Sequence, residues 1–152
     1  MCLFDIVSWN LHLAHFLSDE TYTRYSSVIC FTETHTNASS LVQIENINPC
    51  WKAIHHPTAA HGLSICFNSD IIVVEKEYEL PSEMEMLPLL LRIENSMVLL
   101  VLVYRPPGGP RNAFIDQLSH EIALIDDTKK YRTIALGDFN SDKMLQENVN
   151  PY

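Results

Sequence analysis

The sequence predicts one α/β domain, in which short strands outnumber helices. Most apolar residues fall in short runs that are rich in β-branched side chains and bounded by polar turns, which is typical of strands. One longer segment instead carries its apolar residues at helical spacing. With 47% apolar and 19% charged residues, the 152-residue chain can bury a core, which argues against a disordered protein. The order of these segments indicates an α/β sandwich with a mixed sheet.

The first half of the chain is predicted to contain four strands and a short helix. The strands are expected at residues 4–9, 28–32, 51–55 and 63–67. The second of these runs is short and almost wholly apolar, which favours a strand buried on both faces. The short helix is expected over 18–26, with Ser18 as its N-cap and two acidic residues in its first turn.

The second half begins with a strand and a hairpin. The strand is predicted over 71–78, after a turn-forming Asn-Ser-Asp. The hairpin joins 87–94 to 97–104 through a two-residue break at 95–96. Between strand and hairpin, residues 75–85 contain five Glu and one Lys, which we interpret as a solvated strand end and loop.

A long helix and a last strand complete the predicted fold. Asn112 is expected to cap the helix, because its side chain can accept a hydrogen bond from the first turn. The apolar stripe of this helix consists of Phe114, Ile115, Leu118, Ile122 and Ile125. Residues 133–136 are predicted to form a last buried strand that ends at Gly137.

Charge and targeting signals narrow the class of protein. Ten basic residues stand against 19 acidic ones, a net charge of -9, which is the wrong sign for a passive nucleic-acid binder. Cys30 and Cys66 lie in apolar runs, so we expect reduced thiols. The N-terminus lacks the basic start of a signal peptide, and charged residues interrupt the longest apolar stretch. We therefore expect an intracellular protein that is neither secreted nor bound to a membrane. The nucleus is one of the compartments that this expectation allows.

Polar side chains follow four of the predicted strands, at the point where each strand ends. These residues are Asn10, Glu33, Tyr104, Arg105, Asp138 and Asn140. Ligands gather at this edge of α/β sheets because the loops there converge on one crevice. A carboxylate directly after an apolar run is costly unless it faces a cation, a donor or water. Two carboxylates with amides, a phenol and a guanidinium suit a divalent cation and a phosphate.

Four short motifs contain these polar residues. They are Trp9-Asn10, the Phe-Thr-Glu-Thr of 31–34, the Tyr-Arg-Pro-Pro-Gly of 104–108 and the Gly-Asp-Phe-Asn of 137–140. In this order they resemble the successive motifs of the endonuclease/exonuclease/phosphatase superfamily, and the His-Gly-Leu-Ser-Ile of 61–65 is similar to a strand between the second and third. The resemblance covers nearly the whole chain and is closest to nucleases of mobile elements, such as non-LTR retrotransposons and Helitrons. It implies the four-layer α/β sandwich of deoxyribonuclease I.

The resemblance also implies roles for the polar strand ends. Glu33 would be the principal ligand of a catalytic Mg²⁺ or Mn²⁺. Tyr104 would donate its hydroxyl to the scissile phosphate, with Arg105 near the same phosphate. Asp138 would orient or deprotonate the attacking water, and Asn140 would hold the phosphate. The implied reaction is metal-dependent hydrolysis of a phosphodiester, with DNA as the expected substrate.

Two departures from the superfamily pattern change what we expect of this chain. Asn10 would support the metal site by a hydrogen bond, but two positions further on, where many members carry an acidic residue, stands His12. The last motif of the superfamily, a Ser-Asp-His, does not occur after Asn140. We therefore expect residues 1–152 to be the N-terminal part of the domain, truncated after its fourth motif, with weak or no activity alone. A half-sandwich would expose apolar surface, so we also expect self-association.

Other interpretations stay open. Each polar strand end, taken alone, is an ordinary turn or solvated residue. The superfamily also includes phosphomonoesterases and lipid phosphodiesterases, and the acidic charge favours a small substrate over a long polyanion. The chain is alternatively a catalytically dead relic of a mobile element. A zinc site is disfavoured, because no cysteine or acidic residue completes a known ligand spacing. The histidines concerned are His12, His15, His55, His56 and His61.

Overall fold

Two four-stranded sheets make up most of the part of the chain that the structure describes. The computed structural model describes residues 3–6, 26–34, 50–56, 61–74, 78, 84–93, 95–108, 110–126 and 130–140. Sheet A contains β1 (Leu3–Ile6), β2 (Ser26–Thr32), β3 (Trp51–His55) and β4 (Leu63–Asn68), in the order β1-β2-β4-β3. Sheet B contains β5 (Ile72–Val74), β6 (Glu85–Ile93), β7 (Ser96–Tyr104) and β8 (Arg132–Asp138), in that order. Helix α1 (Arg111–Ile125) connects β7 to β8.

Both sheets mix parallel and antiparallel pairs, as the sequence predicts. β1 is parallel to β2, and β7 is parallel to β8, whereas the other neighbouring strands are antiparallel. The parallel pair β7 and β8 requires a crossover, which α1 supplies. β6 and β7 form the predicted hairpin, and their pairing runs from Ile93 opposite Ser96 to Glu85 opposite Tyr104. The carboxyl ends of β7 and β8 therefore lie side by side.

The main core lies between the two sheets. Alternate residues of β6 and β7 point toward sheet A, because successive side chains of a strand face opposite sides. The buried residues of this layer are Val28, Cys30, Leu63, Ile65, Phe67, Leu87, Leu89, Leu91, Leu100, Leu102, Tyr104 and Leu136. Each large apolar side chain buried here contributes roughly 1.5–3 kcal/mol by leaving water. This layer fixes the spacing of the two sheets at the edge where the polar strand ends meet.

A second core lies between sheet B and α1. Met86, Leu90 and Leu99 face the helix from the outer side of sheet B, and Leu118 and Ile125 are the buried helix residues. Both faces of β6 and β7 are thus covered, which explains why these strands are continuous apolar runs. A short helix is expected over 18–26, but residues 18–25 lie outside the described part of the chain.

The start and the stripe of α1 differ from the prediction. The N-cap is Pro110 and not Asn112, and no side chain caps the helix. The backbone closes the first turn two residues earlier than expected, since the Phe114 N–H donates to the Pro110 carbonyl at 3.2 Å. Ile115 is 41% exposed although it was placed in the stripe. It lies about 100° around the helix from Phe114, at the margin of the covered face.

The last strand is less buried than predicted. Arg132, Thr133, Ile134 and Ala135 are exposed, and only Leu136 is buried. The reason is that β8 ends the strand order of sheet B and pairs with β7 alone among the described strands. β5 covers Ile72–Val74 of the strand predicted over 71–78, of which residues 75–77 lie outside the described part of the chain.

The remaining expectations are confirmed in part. The first strand is present as β1, although residues 7–9 of the predicted 4–9 lie outside the described part. Cys30, Cys50 and Cys66 are free thiols. Burial raises the pKa of the Cys30 thiol to about 12, so this thiol is unreactive at neutral pH. Within the described residues, no helix has the length and apolar character that crossing a membrane requires.

Candidate functional site

A hydrogen bond between the two sheets brings two predicted residues together. Glu33 directly follows β2 in sheet A, and Tyr104 is the last residue of β7 in sheet B. The Tyr104 hydroxyl donates to Glu33 Oε1 at 2.6 Å. A hydroxyl bonded to a carboxylate over so short a distance is a strong, charge-assisted hydrogen bond. The ends of two strands that are 71 residues apart in sequence thus form one site.

The surroundings of Tyr104 keep its hydroxyl protonated. The side chain is 2% exposed, and this burial is the main reason why its pKa rises to about 12. The hydrogen bond to Glu33 and the negative charges of Glu33 and Asp138 raise the pKa further. A hydrogen bond from Asn140 acts in the opposite direction. Tyr104 is therefore a hydrogen-bond donor at neutral pH, and two carboxylates act on it.

Arg105, Asp138 and Asn140 form a second cluster, within sheet B. The Arg105 main-chain N–H donates to the Asp138 carbonyl at 2.9 Å, which extends the β7–β8 ladder. Arg105 Nη1 donates to the carbonyls of Phe139 and Asn140, each at 2.9 Å. In return, Asn140 Nδ2 donates to the Arg105 carbonyl at 2.7 Å, and the Asn140 N–H donates to Asp138 Oδ1 at 2.8 Å. The loop after β8 is thus held by side chains of Arg105, Asp138 and Asn140 that bond main-chain groups.

Unusual backbone conformations concentrate at these strand ends. Among the described residues, Glu33 (φ 53°) and Asn140 (φ 40°) are the non-glycine residues with positive φ. Each such conformation costs about 1–3 kcal/mol, so the surrounding contacts must hold it in place. Gly137 has φ 143°, and a Cβ there would lie 1.8 Å from the Val103 carbonyl oxygen. This glycine is required because the neighbouring strand β7 approaches it closely.

Two further residues belong to the site, although their sequence context predicts no role for them there. His61 Nδ1 lies 2.8 Å from Glu85 Oε1, and the His61 ring lies 4.7 Å from the Tyr104 ring. Glu85 was interpreted as part of a solvated acidic stretch, yet its side chain is only 16% exposed. Glu85 is the residue of β6 that pairs with Tyr104. Residue pairs counted outward from the hairpin turn show which residue lies opposite Tyr104. The position of the turn is therefore the signal in the sequence that identifies Glu85.

The carboxylates of the site provide oxygen ligands for a hard cation. The negative charges of Glu33 and Asp138 both raise the pKa of Tyr104, and Glu85 pairs with Tyr104 across β6 and β7. Hard divalent cations take oxygen ligands, and Mg²⁺ commonly uses one or two carboxylates together with water and phosphate. No group of three or more His, Cys, Asp or Glu that could hold a metal ion occurs within the described ranges. Asn10, His12 and His15 lie outside those ranges.

Similarity to solved structures identifies the fold. No protein-family model matches the sequence, and no curated protein matches it either. The chain is similar to an endonuclease/exonuclease/phosphatase family protein from Bacteroides thetaiotaomicron, with TM-score 0.63 and 13% identity over 86% of this chain and 56% of that one. It is also similar to D. rerio TDP2 complexed with a single-strand DNA product (TM-score 0.64, 14% identity, 90% and 60% of the two chains).

A mobile-element protein is among these structures. The endonuclease domain of TRAS1, a telomere-specific non-LTR retrotransposon, matches with TM-score 0.62 and 15% identity over 89% of this chain and 57% of that one. The chain described here is thus an α/β sandwich with a polar site at its strand ends. It has the fold of the endonuclease/exonuclease/phosphatase superfamily, which confirms the predicted resemblance. The chain spans little more than half the length of these three structures, in agreement with the predicted N-terminal part of the sandwich.

Proposed function

We propose that this chain carries the N-terminal part of the active site of a metal-dependent phosphodiester hydrolase that acts on DNA. The observation that carries the proposal is the hydrogen bond from Tyr104 to Glu33, with Asp138 and Asn140 at the adjacent strand end. The similarity to a TDP2 complexed with a DNA product and to a retrotransposon endonuclease domain supports DNA as the substrate.

The donor set fits Mg²⁺ or Mn²⁺. Glu33 would hold the ion, with Asn10 as its hydrogen-bonding support. Both cations prefer carboxylate, amide and water oxygens, which the residues at these strand ends supply. When bound, the ion contributes a positive charge that stabilises the charge developing on the phosphoryl oxygens.

The remaining residues would bind the phosphate and accept the proton of the attacking water. Tyr104, whose hydroxyl is protonated at neutral pH, would redirect its single hydrogen bond from Glu33 to a phosphoryl oxygen when substrate binds. Asp138, oriented by the Asn140 N–H, would accept a proton from the attacking water. Asn140, fixed by the Arg105 carbonyl, would hold the phosphate. Arg105 would add a positive charge near the same phosphate while keeping the loop after β8 in place.

Nicking of supercoiled plasmid in Mg²⁺ tests this proposal. Because the chain spans little more than half of its structural neighbours, we expect slow nicking at most. Any nicking should fall at least about tenfold in Glu33→Ala and in Asp138→Ala, as expected when a transition-state contact is lost. Asp116→Ala, an exposed position on α1, is the matched control and should leave the rate unchanged. Nicking that survives both site substitutions would contradict the assignment.

One observation favours a second candidate, a phosphomonoesterase or lipid phosphodiesterase. The net charge of -9 disfavours a long polyanion, whereas a small phosphate ester needs only a local site. Turnover of an inositol phosphate without plasmid nicking would support this alternative. A mobile-element relic would lack both activities, as would a chain that carries only the N-terminal part of the active site.

We also propose that the chain self-associates through the outer edge of β8. Among the described strands, β8 pairs with β7 alone, so its outer edge is a template for another strand. This edge carries neither proline nor a central charge. Antiparallel pairing of two copies about Ala135 would set Arg132 of one copy opposite Asp138 of the other. Sedimentation should detect a dimer that Ile134→Lys converts to a monomer, because a lysine at an edge opposes pairing. A wild-type monomer at high concentration would contradict this.

A further inference from the structure

Glu85 holds His61 by two contacts. The Glu85 Oε1 atom lies 2.8 Å from His61 Nδ1, and Oε2 accepts the His61 main-chain N–H at 3.4 Å. Since an ionised carboxylate only accepts, Nδ1 carries the proton in this contact, which fixes the ring orientation. One carboxylate therefore orients both the backbone and the side chain of the same residue.

The oriented His61 ring packs on Tyr104. The two ring centroids are 4.7 Å apart and the ring planes are inclined by 37°. Glu85 and Tyr104 are paired across β6 and β7, so the histidine is held by the strand neighbour of the residue it contacts. The Tyr104 ring is thus limited by its own strand, by His61 and by the hydrogen bond to Glu33.

The same contacts connect the two sheets. His61 lies just before β4 of sheet A, whereas Glu85 and Tyr104 belong to sheet B. The Thr34 N–H donates to the Gly62 carbonyl at 3.2 Å, which ties the loop carrying Glu33 to the loop carrying His61. A displacement of the His61 loop would move both partners of the hydrogen bond between Tyr104 and Glu33.

We infer that His61 and Glu85 are a positioning pair, which sets the Tyr104 hydroxyl against Glu33. This inference rests on the proposed function, in which Tyr104 donates a hydrogen bond to the phosphate. A surface ion pair without such a role would contribute little and would leave Tyr104 unaffected, since exposed pairs are weakly coupled to their surroundings. The effect on Tyr104 separates the two cases.

Fluorine NMR of 3-fluorotyrosine-labelled protein reports on Tyr104 without requiring activity. The chain has six tyrosines, and the Tyr104 resonance is the one lost in Tyr104→Phe. In His61→Ala and in Glu85→Ala, this resonance should shift toward that of free fluorotyrosine while the other tyrosines stay in place. Glu85→Gln, which keeps an acceptor for His61, should stay near the wild type. His120→Ala on the exposed face of α1 is the matched control.

The inference is overturned if the Tyr104 resonance stays at its wild-type position in both alanine variants. If His61→Ala fails to fold, the comparison of Glu85→Ala with Glu85→Gln decides alone. In that case, equal Tyr104 resonances in the two Glu85 variants overturn the inference, and a shift restricted to Glu85→Ala supports it.

Hydrolysis of a small phosphodiester, bis-p-nitrophenyl phosphate, adds a kinetic test. A positioning role predicts that His61→Ala lowers kcat by about tenfold to a hundredfold with little change in KM. In the Tyr104→Phe background the same substitution should cost nothing further. A shifted resonance with hydrolysis that is independent of Glu33 supports the positioning pair and contradicts the proposed function. Hydrolysis that needs Glu33, with an unmoved resonance, contradicts the positioning pair alone.

Discussion

The two halves of the site are held together by different kinds of contact. Between the sheets, Tyr104, Glu33, His61 and Glu85 interact through their side chains. Within sheet B, the loop after β8 is fixed mainly by main-chain groups that Arg105 engages. The first cluster depends on the packing of two sheets, and the second on the backbone of two neighbouring strands. Substitutions should therefore act on the first by removing a contact between two side chains, and on the second by removing the donors of main-chain groups or by crowding the backbone.

The largest expected effect concerns the backbone of the second cluster. Gly137→Ala should lower the free energy of unfolding by about 4 kcal/mol, because its Cβ would meet the Val103 carbonyl in a conformation that alanine avoids. Gly108→Ala is the control, since Gly108 also has positive φ but has nothing within 4 Å of a Cβ. It should cost only about 1–2 kcal/mol. Equal losses in urea unfolding would show that the close approach of β7 is unimportant.

Removing the guanidinium should have the next largest effect. Arg105→Ala leaves the carbonyls of Phe139 and Asn140 without their donor, and we expect a loss of roughly 3 kcal/mol. Arg111→Ala, at an exposed position of α1, should change stability by less than about 0.5 kcal/mol. Thermal unfolding monitored by circular dichroism measures both. A loss no greater than that of the control would mean that Arg105 does not hold this loop.

A smaller effect should separate the side-chain cluster from the backbone cluster. Tyr104→Phe removes the donor to Glu33 and should cost about 1.5–2 kcal/mol. Glu33→Gln keeps an oxygen acceptor at the same place, so it should cost less than about 1 kcal/mol. The loop after β8 should keep its amide exchange protection in both variants. If that protection is lost, the two clusters form one cooperative unit.

A dependence of stability on alkaline pH tests the environment of the same tyrosine in another way. Burial raises the pKa of Tyr104 from its ordinary value of 10.0 to about 12, so the folded state favours the neutral phenol. The resulting stability is fully present below pH 10 and is lost as the pH rises toward 12. The wild type should therefore lose more stability than Tyr104→Phe between pH 10 and 12. Buried thiols titrate equally in both proteins and cancel in this difference. Parallel curves would contradict the proposed environment of Tyr104.

The sequence predicts the strands better than their ends. Apolar runs identify β2, β4, β6 and β7, because these strands are covered on both faces and carry an uninterrupted signal. β8 carries the same signal at residues 134–136 but is exposed over its first half, since burial depends on a neighbouring strand and not on the run itself. The cap of α1 was misplaced because its first turn closes on a proline carbonyl, which leaves no side-chain pattern.

The site was predicted as a set of residues but not as a set of contacts. Glu33, Tyr104, Arg105, Asp138 and Asn140 lie together, as their positions after strands indicate. Glu85 was missed because the hairpin turn was placed one residue too late, since β7 begins at Ser96. The predicted turn would place residue 87 opposite Tyr104, whereas residue 85 lies there in the structure. His61 was missed because no local pattern shows that a residue before β4 reaches a tyrosine in the other sheet.

Binding of Mn²⁺ measured by electron paramagnetic resonance tests the central claim most directly, namely that the strand ends of both sheets form one metal-dependent site. The wild type should bind one Mn²⁺, and Glu33→Gln should bind it at least about tenfold more weakly, because a neutral amide replaces the carboxylate ligand. Glu121→Gln on α1 should bind as the wild type does. An unchanged dissociation constant in Glu33→Gln would contradict the account.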